Sequence, residues 1–206
     1  MANISELKAL VSAKLGFARS NNFLVKLPST VVNTAPSSFI VPGEINLLCK
    51  NVSLPGKQVL TLDRRIGMRN EKIGYGYGVT DAAMTFYLLN DYGIKKYFDD
   101  WLKYILDETT GEVNWKNYYA KSIEIHQLRK PLLGGKIDAG PAQINLSLGA
   151  GSVYSVELVE AFPTTINEVA LTNDLDGLSE LTVNFSYTRW KIIDNPQNFI
   201  DVDIGI

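Results

Sequence analysis

The sequence has few of the side chains on which metal and redox sites depend. Its 206 residues include one cysteine, Cys49, and one histidine, His126. An intramolecular disulfide is therefore excluded, and zinc sites built from Cys and His ligands are excluded as well. A single unpaired cysteine favours an intracellular origin. We predict neither a metal ion nor any other cofactor.

Strong net charge and long apolar runs are also missing. The formal net charge is −2, which gives no general reason to bind nucleic acid or an anionic membrane. No apolar run approaches the roughly 20 residues of a membrane span. The N-terminal segment lacks the basic start and unbroken apolar stretch of a secretory signal. Hydrophobic residues make up 46% of the chain, which is enough for a packed core.

The glycine-rich stretch GYGYG at 74–78 does not have the surroundings of a phosphate-binding loop. No Lys followed by Ser or Thr comes directly after it, and the next segment has a strand pattern rather than a helical one. The glycines alternate with Tyr75 and Tyr77. In a strand, this spacing predicts one bare face that another chain can approach closely, and one aromatic face.

Signatures of catalysis are equally scarce. The chain contains no G-x-S-x-G motif and no local Cys–His pair. His126 lies in an alternating segment, and we expect a solvated or interface position for it. The acidic residues at 172–177 lack the register of an EF-hand and are interpreted as a polar turn. The sequence therefore predicts no enzyme.

Two amphipathic helices are predicted. The first spans 4–15, with Asn3 and Glu6 in the positions of a capping box and Gly16 as terminator. The second spans 91–106, with Asn90 or Asp91 as its cap. Its wide apolar stripe predicts that it packs on a sheet, and the stripe consists of Ile94, Tyr97, Phe98, Trp101, Leu102 and Ile105.

The rest of the chain alternates as strands do. The predicted strands are 23–28, 44–56, 57–63, 79–90, 118–128, 153–163 and 179–192. Residues 29–43 are predicted to be a loop, 131–152 an insertion loop containing a candidate strand at 142–148, and 193–206 a tail without a clear element. The fold class is mainly β (α+β): an antiparallel β-sandwich or barrel with one flanking α-helix, a short N-terminal helix and a long basic hairpin. A single domain, 1–206, is expected.

Basic residues are concentrated in one segment. Residues 57–72 hold five basic and two acidic side chains, a surplus of +3 that leaves −5 on the remainder. A basic excursion on an acidic body can dock head to tail on a second copy of the chain. A solvated loop is the alternative interpretation.

Several stretches, taken in order along the chain, resemble the tail tube protein family of contractile-tailed phages (the T4-like group). The first two are FARSNNFLVKLP (17–28) and CKNVSLPGKQVLTLDRRIGMRNEKIGYGYG (49–78). MTFYLLNDYGIKKYFDDWLKYI (84–105) and YYAKSIEIHQL (118–128) follow, and the last is VYSVELVEAFPTTINEVALTNDLDGLSELTVNFSYTRWKI (153–192). The loops at 29–43 and 131–152 and the tail are longer than a minimal tube subunit requires.

The resemblance implies a structural protein of a contractile tail, located in the virion and assembled in the cytoplasm of the bacterial host. Subunits of this kind form hexameric rings that stack into a tube inside a sheath, with baseplate and terminator proteins at the ends. DNA passes through the lumen without specific binding. GYGYG is then the returning arm of a hairpin that lies against a neighbouring subunit. The predicted interface residues are Arg64, Arg65, Arg69, Lys72, Tyr75 and Tyr77.

Three alternatives remain open on the sequence. A tube-initiator or baseplate-proximal ring protein would share the fold. A β-sandwich glycan-binding module would use Tyr75, Tyr77 and Trp115 as an aromatic platform. A hydrolase would need a site assembled across the fold, for which no motif speaks.

Overall fold

The structure is a computed structural model that describes residues 3–14, 16–28, 42–129, 134–139, 142–147, 152–171, 177–193 and 201–204. The described helices are α1 Ile4–Ala13, α2 Pro42–Leu47, α3 Gly93–Ile105 and α4 Lys116–Tyr119. The first six strands are β1 Phe23–Lys26, β2 Cys49–Val52, β3 Gln58–Ile66, β4 Arg69–Gly78, β5 Ala82–Tyr87 and β6 Lys121–Leu128. The others are β7 Gly134–Ala139, β8 Ala142–Ser147, β9 Ser152–Ile166, β10 Glu180–Ser186, β11 Arg189–Ile192 and β12 Asp201–Ile204. The predicted mainly β class, with antiparallel sheets and few helices, is confirmed.

The chain divides into two compact units. The larger comprises Leu24–Ile125 and Val156–Ile193, and the smaller comprises Met1–Phe23, His126–Ser155 and Asp194–Ile206. The prediction of a single domain over 1–206 stays a prediction.

A seven-stranded sheet carries the core. Its strand order is β1-β6-β9-β10-β5-β2, and β11 pairs with β9 beside this path. β10 runs antiparallel to β5, with Leu181 opposite Phe86 and Val183 opposite Met84. These residues alternate along their strands, so one face of the sheet presents a continuous apolar surface. That surface is fully buried.

Helix α3 covers this apolar face, as its stripe predicts. Ile94, Phe98 and Trp101 are completely buried. The Phe98 ring lies 5.4 Å from that of Phe86 and 5.8 Å from that of Phe185, measured between centroids. The Trp101 indole N–H donates a 3.0 Å hydrogen bond to the carbonyl oxygen of Tyr119. The helix is therefore held both by apolar burial and by a satisfied polar group.

The ends of α1 also follow the prediction, and the start of α3 differs. Asn3 and Glu6 form the capping box of α1, and Gly16, with φ of 102°, follows its last turn. In α3 the N-cap is Tyr92, with φ of 53° and no capping side chain. Asp91, one residue before the N-cap, supplies the capping hydrogen bond instead: its carboxylate accepts from the Gly93 N–H.

Three predicted strand boundaries are wrong. Residues 42–47 are helical rather than the start of a strand, because Ile45 is fully buried and the Asn46 side chain accepts from the Leu27 N–H. The turn α4 occupies 116–119, so β6 begins only at Lys121. The predicted strand 179–192 is two strands, β10 and β11, which pair with different stretches of β9.

The insertion 131–152 and the tail were predicted to have little regular structure, and this is wrong for both. β7 and β8 form an antiparallel hairpin, with Ile137 opposite Ile144, and β12 pairs with β8. The candidate strand at 142–148 corresponds to β8. The sequence did not predict β7 and β12, because Gly134 and Gly135 suggested a loop and tail residues 201–204 pair only with a strand distant in sequence. The predicted loop at 29–43 lies outside the described residues except for its last two positions, which begin α2.

Replacing Trp101 tests the packing of α3. Trp101→Ala removes a completely buried indole and its hydrogen bond to Tyr119. We expect a loss of about 3–5 kcal/mol in the free energy of unfolding, measured by urea denaturation. Trp115→Ala is the matched control, since Trp115 is 79% exposed and its loss should change little. Equal unfolding midpoints for the two variants would contradict this packing.

Candidate subunit interface

The basic segment folds as a long two-stranded hairpin. β3 and β4 pair with each other from Gln58 opposite Gly78 to Ile66 opposite Arg69. Gly67, with φ of 62°, makes the tight turn between them together with Met68, and two-residue hairpin turns favour glycine for this reason. The predicted long hairpin, with GYGYG on the returning strand, is confirmed.

A β-bulge at Tyr75 divides the glycines of GYGYG between the two faces of the hairpin. The register shifts there, so that Leu60 stands opposite Gly76 and Thr61 opposite Gly74. Gly74 therefore lies on the other face from Gly76 and Gly78, and the predicted continuous bare face is wrong. The Leu60 side chain covers Gly76 and Gly78, at 3.9 and 3.8 Å from the positions of their missing Cβ atoms.

One face of the hairpin is apolar and uncovered. The register places Leu60, Leu62, Ile66 and Ile73 on the same face as Arg64 and Arg69. Leu62 is 63% and Ile66 52% exposed, and Met68 at the tip is fully exposed. Among the described strands, β3 and β4 pair only with each other. An isolated ribbon of this kind is marginally stable in water, and exposed apolar patches mark contact surfaces.

The predicted interface residues all lie on this hairpin, and the structure distributes them over both faces. Arg64 stands opposite Glu71, and Lys72 opposite Asp63, so their charges are partly balanced across the strands. Arg65 donates to the Gly67 carbonyl oxygen at 3.3 Å. The surplus of positive charge is thus concentrated at Arg65 and Arg69 beside the turn. Their role as an interface stays a prediction.

A basic and aromatic cavity lies at the base of the hairpin. It measures about 370 Å³ and is lined by Lys57, Tyr77, Val79, Arg189, Trp190 and Lys191. The Lys57 ammonium sits 4.7 Å from the centre of the Tyr77 ring, a cation–π distance. The Trp190 indole N–H donates to the Gly56 carbonyl oxygen at 3.2 Å, which ties β11 to the start of the hairpin.

Two carboxylates interact with residues that line this cavity, Glu157 with Lys191 and Glu160 with Arg189, and both have other partners as well. Glu157 accepts from Lys191 at 2.9 Å and from Ser122 at 2.8 Å; burial raises the pKa of Glu157, but these two hydrogen bonds outweigh it and hold the pKa below its usual value. Glu160 accepts from Lys116 at 2.7 Å and from Thr188, which lower its pKa. Among the described residues, the cavity therefore keeps a surplus of positive charge.

The sequence does not predict the part of this site that β11 supplies. Its pattern places Arg189, Trp190 and Lys191 at the end of a last strand and indicates no role for them. Their own pattern, basic residues on either side of a tryptophan, was a weak signal. Only the pairing of β11 with β9 places them beside Lys57.

Comparison with known proteins agrees with this architecture. The family model described as phage tail tube protein matches residues 18–193, which is most of the chain. The protein belongs to the phage tail tube protein family. No curated protein sequence gives a match.

Solved structures with the same fold come from contractile injection systems. A chain of the anti-feeding prophage baseplate is 17% identical, with a TM-score of 0.56 over 85% of this chain and 95% of that one. A chain of the sheath–tube complex of the PVC extracellular contractile injection system, in its extended state, is 14% identical, with a TM-score of 0.55 over 94% and 99%. A chain from the sheath/tube terminator of the PVC system is also 14% identical, with a TM-score of 0.54 over 85% and 95%. At such low identity the likeness shows the fold alone.

Membership in the tail tube family makes this chain a structural protein of the tail and not an enzyme. Within the described part of the chain, no three of its His, Cys, Asp and Glu side chains come together as a metal site. The described helices include none with the length and apolar character to cross a membrane.

The predicted solvated position of His126 is wrong. His126 is 1% exposed, and its Nδ1 lies 2.8 Å from the Ser155 hydroxyl oxygen. Ser155 is itself buried and hydrogen-bonded to Ser152. The alternation of β6 places Ile123 and Ile125 on the buried side. His126 is buried although the alternation would expose it, because the Ser155 hydroxyl supplies a hydrogen-bond partner. The histidine has a structural role in the tail tube protein.

The aromatic platform of the glycan-binding alternative is not assembled. Tyr77 lies on the face of the hairpin that carries Val59, Tyr75 is the bulged residue, and Trp115 precedes α4. Within the described residues, no ring contact joins any two of the three. The structure gives this alternative no support beyond their individual exposure.

Removing the buried histidine should destabilise the protein. His126→Ala leaves a cavity and takes a partner from Ser155, and we expect a loss of about 2–4 kcal/mol in the free energy of unfolding. Urea denaturation measures it, and His126→Gln, which keeps a polar side chain, should recover part of the loss. An unchanged unfolding midpoint for His126→Ala would show that the site is not a structural one.

The single cysteine offers a probe of the sheet edge. Burial raises the pKa of the Cys49 thiol to about 12, against a smaller lowering by a backbone hydrogen bond at Asn51. Because only the thiolate reacts, labelling by a disulfide reagent at pH 8 should be at least about a hundredfold slower in the folded protein than in urea. Equal rates in the two states would contradict the burial of this thiol.

Proposed function

We propose that this tail tube protein assembles into stacked hexameric rings and forms the inner tube of a contractile tail, through which the genome passes into the host. The observation that carries the proposal is the hairpin, whose apolar and arginine-bearing face has no cover within the described chain. Ordering such a segment is costly for one subunit alone. A neighbouring subunit covers it and recovers that cost.

The edges of the large sheet support the same proposal. β1 and β2 end the order of its described strands, so each leaves backbone groups available for pairing. Joining the edges of neighbouring subunits closes a ring of sheets and removes free edges. The contact is head to tail, which is the geometry that forms closed rings or continuous tubes.

The partners follow from the position of a tube in a tail. A sheath surrounds it, and baseplate and terminator proteins bound its ends, in keeping with the names of the complexes that contain the similar folds. Assembly takes place in the host cytoplasm and the product is part of the virion. The formal net charge of −2 favours passage of DNA without binding, since attraction between phosphate and Lys or Arg supplies most non-specific affinity.

Reversing charge on the hairpin tests the proposal. A variant with Arg64, Arg65 and Arg69 changed to glutamate should stay folded but remain monomeric, because acidic side chains would replace the basic ones at the contact. Sedimentation and electron microscopy measure the assembly, and circular dichroism checks the fold. A variant with Lys8, Lys14 and Lys96 changed to glutamate is the matched control, since these exposed lysines lie off the hairpin.

The outcomes separate the alternatives. Wild-type protein that forms long tubes, together with a monomeric hairpin variant, supports the proposal. Rings that never stack would favour the tube-initiator protein of the same fold. A hairpin variant that polymerises like the wild type would show that the hairpin is a solvated loop.

A further inference from the structure

We propose that the cavity at the base of the hairpin receives the acidic turn Asp107–Glu112 of a second copy of this chain. The inference rests on the proposed self-assembly and assigns a contact to it. It differs from the contact of the hairpin face, because other residues form the cavity.

The cavity has positive charge that no carboxylate of the described residues neutralises by an ion pair. In the described structure, no carboxylate oxygen lies within 4.0 Å of the Lys57 ammonium or the Arg189 guanidinium. Lys57 instead rests on the Tyr77 ring. The charge of Arg189 acts on Glu160, but that carboxylate is already bound by Lys116. A ligand with two carboxylates therefore meets two cations that lack an ion-pair partner.

The acidic turn has the matching chemistry. It follows α3 and is closed by a bridge between Leu106 and Val113. Asp107 is used within the turn, where its carboxylate accepts from the Thr109 N–H at 2.8 Å, which lowers the pKa of Asp107. Glu108 and Glu112 are exposed. Within the described residues, neither carboxylate makes an ion pair or a hydrogen bond; the backbone N–H of Glu112 donates to the Thr110 hydroxyl.

The turn is held in shape, so little freedom is lost when it docks. The Asp107 N–H donates to the Glu112 carbonyl oxygen at 3.0 Å, and the Gly111 N–H donates to the Asp107 carbonyl oxygen at 2.8 Å. Gly111 has φ of 71°, which glycine adopts without strain. Beside the turn, Val113 is 64% and Trp115 79% exposed, and these apolar side chains can be buried by the aromatic wall of the cavity.

A second copy is the occupant that fits these facts. The structure describes both segments in full, and no hydrogen bond or ion pair joins them within one chain. Each subunit carries one cavity and one turn. A turn that enters the cavity of the next subunit leaves its own cavity open to a third, so the contact propagates as a ring or tube requires.

A pair of charge-reversed variants tests this directly. The cavity variant carries Lys57→Glu and Arg189→Glu, and the turn variant carries Glu108→Lys and Glu112→Lys. Each alone faces like charges across the contact and should assemble at a concentration at least about tenfold higher than the wild type. In an equimolar mixture the two variants can alternate. The acidic cavity of the cavity variant then receives the basic turn of the turn variant, and the basic cavity of the turn variant receives the acidic turn of the cavity variant, so assembly should recover. Sedimentation velocity measures all three samples.

Two controls keep the result readable. Lys14→Glu with Lys96→Glu reverses the same number of charges elsewhere and should assemble like the wild type. A milder cavity variant carries Lys57→Gln and Arg189→Gln, which adds no negative charge to β11. It replaces the charge-reversed cavity variant if that variant fails to fold. The milder variant should still weaken assembly about tenfold.

The outcomes separate this inference from the proposed function. Wild-type protein that does not assemble at all would overturn both. Wild-type assembly that both the cavity variants and the turn variant retain would overturn the cavity contact alone. Loss of assembly in each folded variant without recovery in the mixture would also overturn it, because the two segments would then act at separate contacts.

Discussion

The packing of α3 on the large sheet is the constraint on which the other features of the larger unit depend. Phe98 and Trp101 meet Phe86 and Phe185 in a group of aromatic rings with no exposed surface on the four side chains. This contact fixes the helix against β5 and β10 and therefore fixes the start of the acidic turn that follows the helix. It also accounts for the stability of a sheet whose strands come from distant parts of the chain, because burial of large rings contributes several kcal/mol each.

The hairpin behaves in the opposite way. Among the described strands, β3 and β4 pair only with each other, and the hairpin exposes Leu62, Ile66 and Met68. Such an uncovered apolar surface adds neither solubility nor stability to a single subunit. Only a partner that covers the surface can stabilise it. The sheet and α3 bury the core of the larger unit, and the hairpin and the cavity at its base are the surfaces that we propose for assembly.

The buried polar groups show how local exceptions are tolerated. His126 and Ser155 satisfy each other inside the smaller unit, and the Trp101 indole finds the Tyr119 carbonyl oxygen inside the larger one. Tyr187 is the exception among the described residues, since its buried hydroxyl has no partner there. Burial, together with the charge of Asp81, raises the pKa of Tyr187, so its hydroxyl stays neutral at physiological pH.

Periodicity by itself determined α1, and it determined the elements that bury a regular apolar face: α3, β5 and β10, with Leu181, Val183, Phe185 and the following Tyr187 all on the buried side. The hairpin, with GYGYG on its returning strand, followed from the resemblance to the tail tube family. Only the tertiary structure decided that 42–47 is helical, that β7 and β12 pair with β8, and that Lys57 and Arg189 line one cavity. Each of these depends on partners far apart in sequence. The burial of His126 and the bulge at Tyr75 belong to the same class, because the identity of a neighbouring strand and its register are set by the whole fold and not by the local pattern.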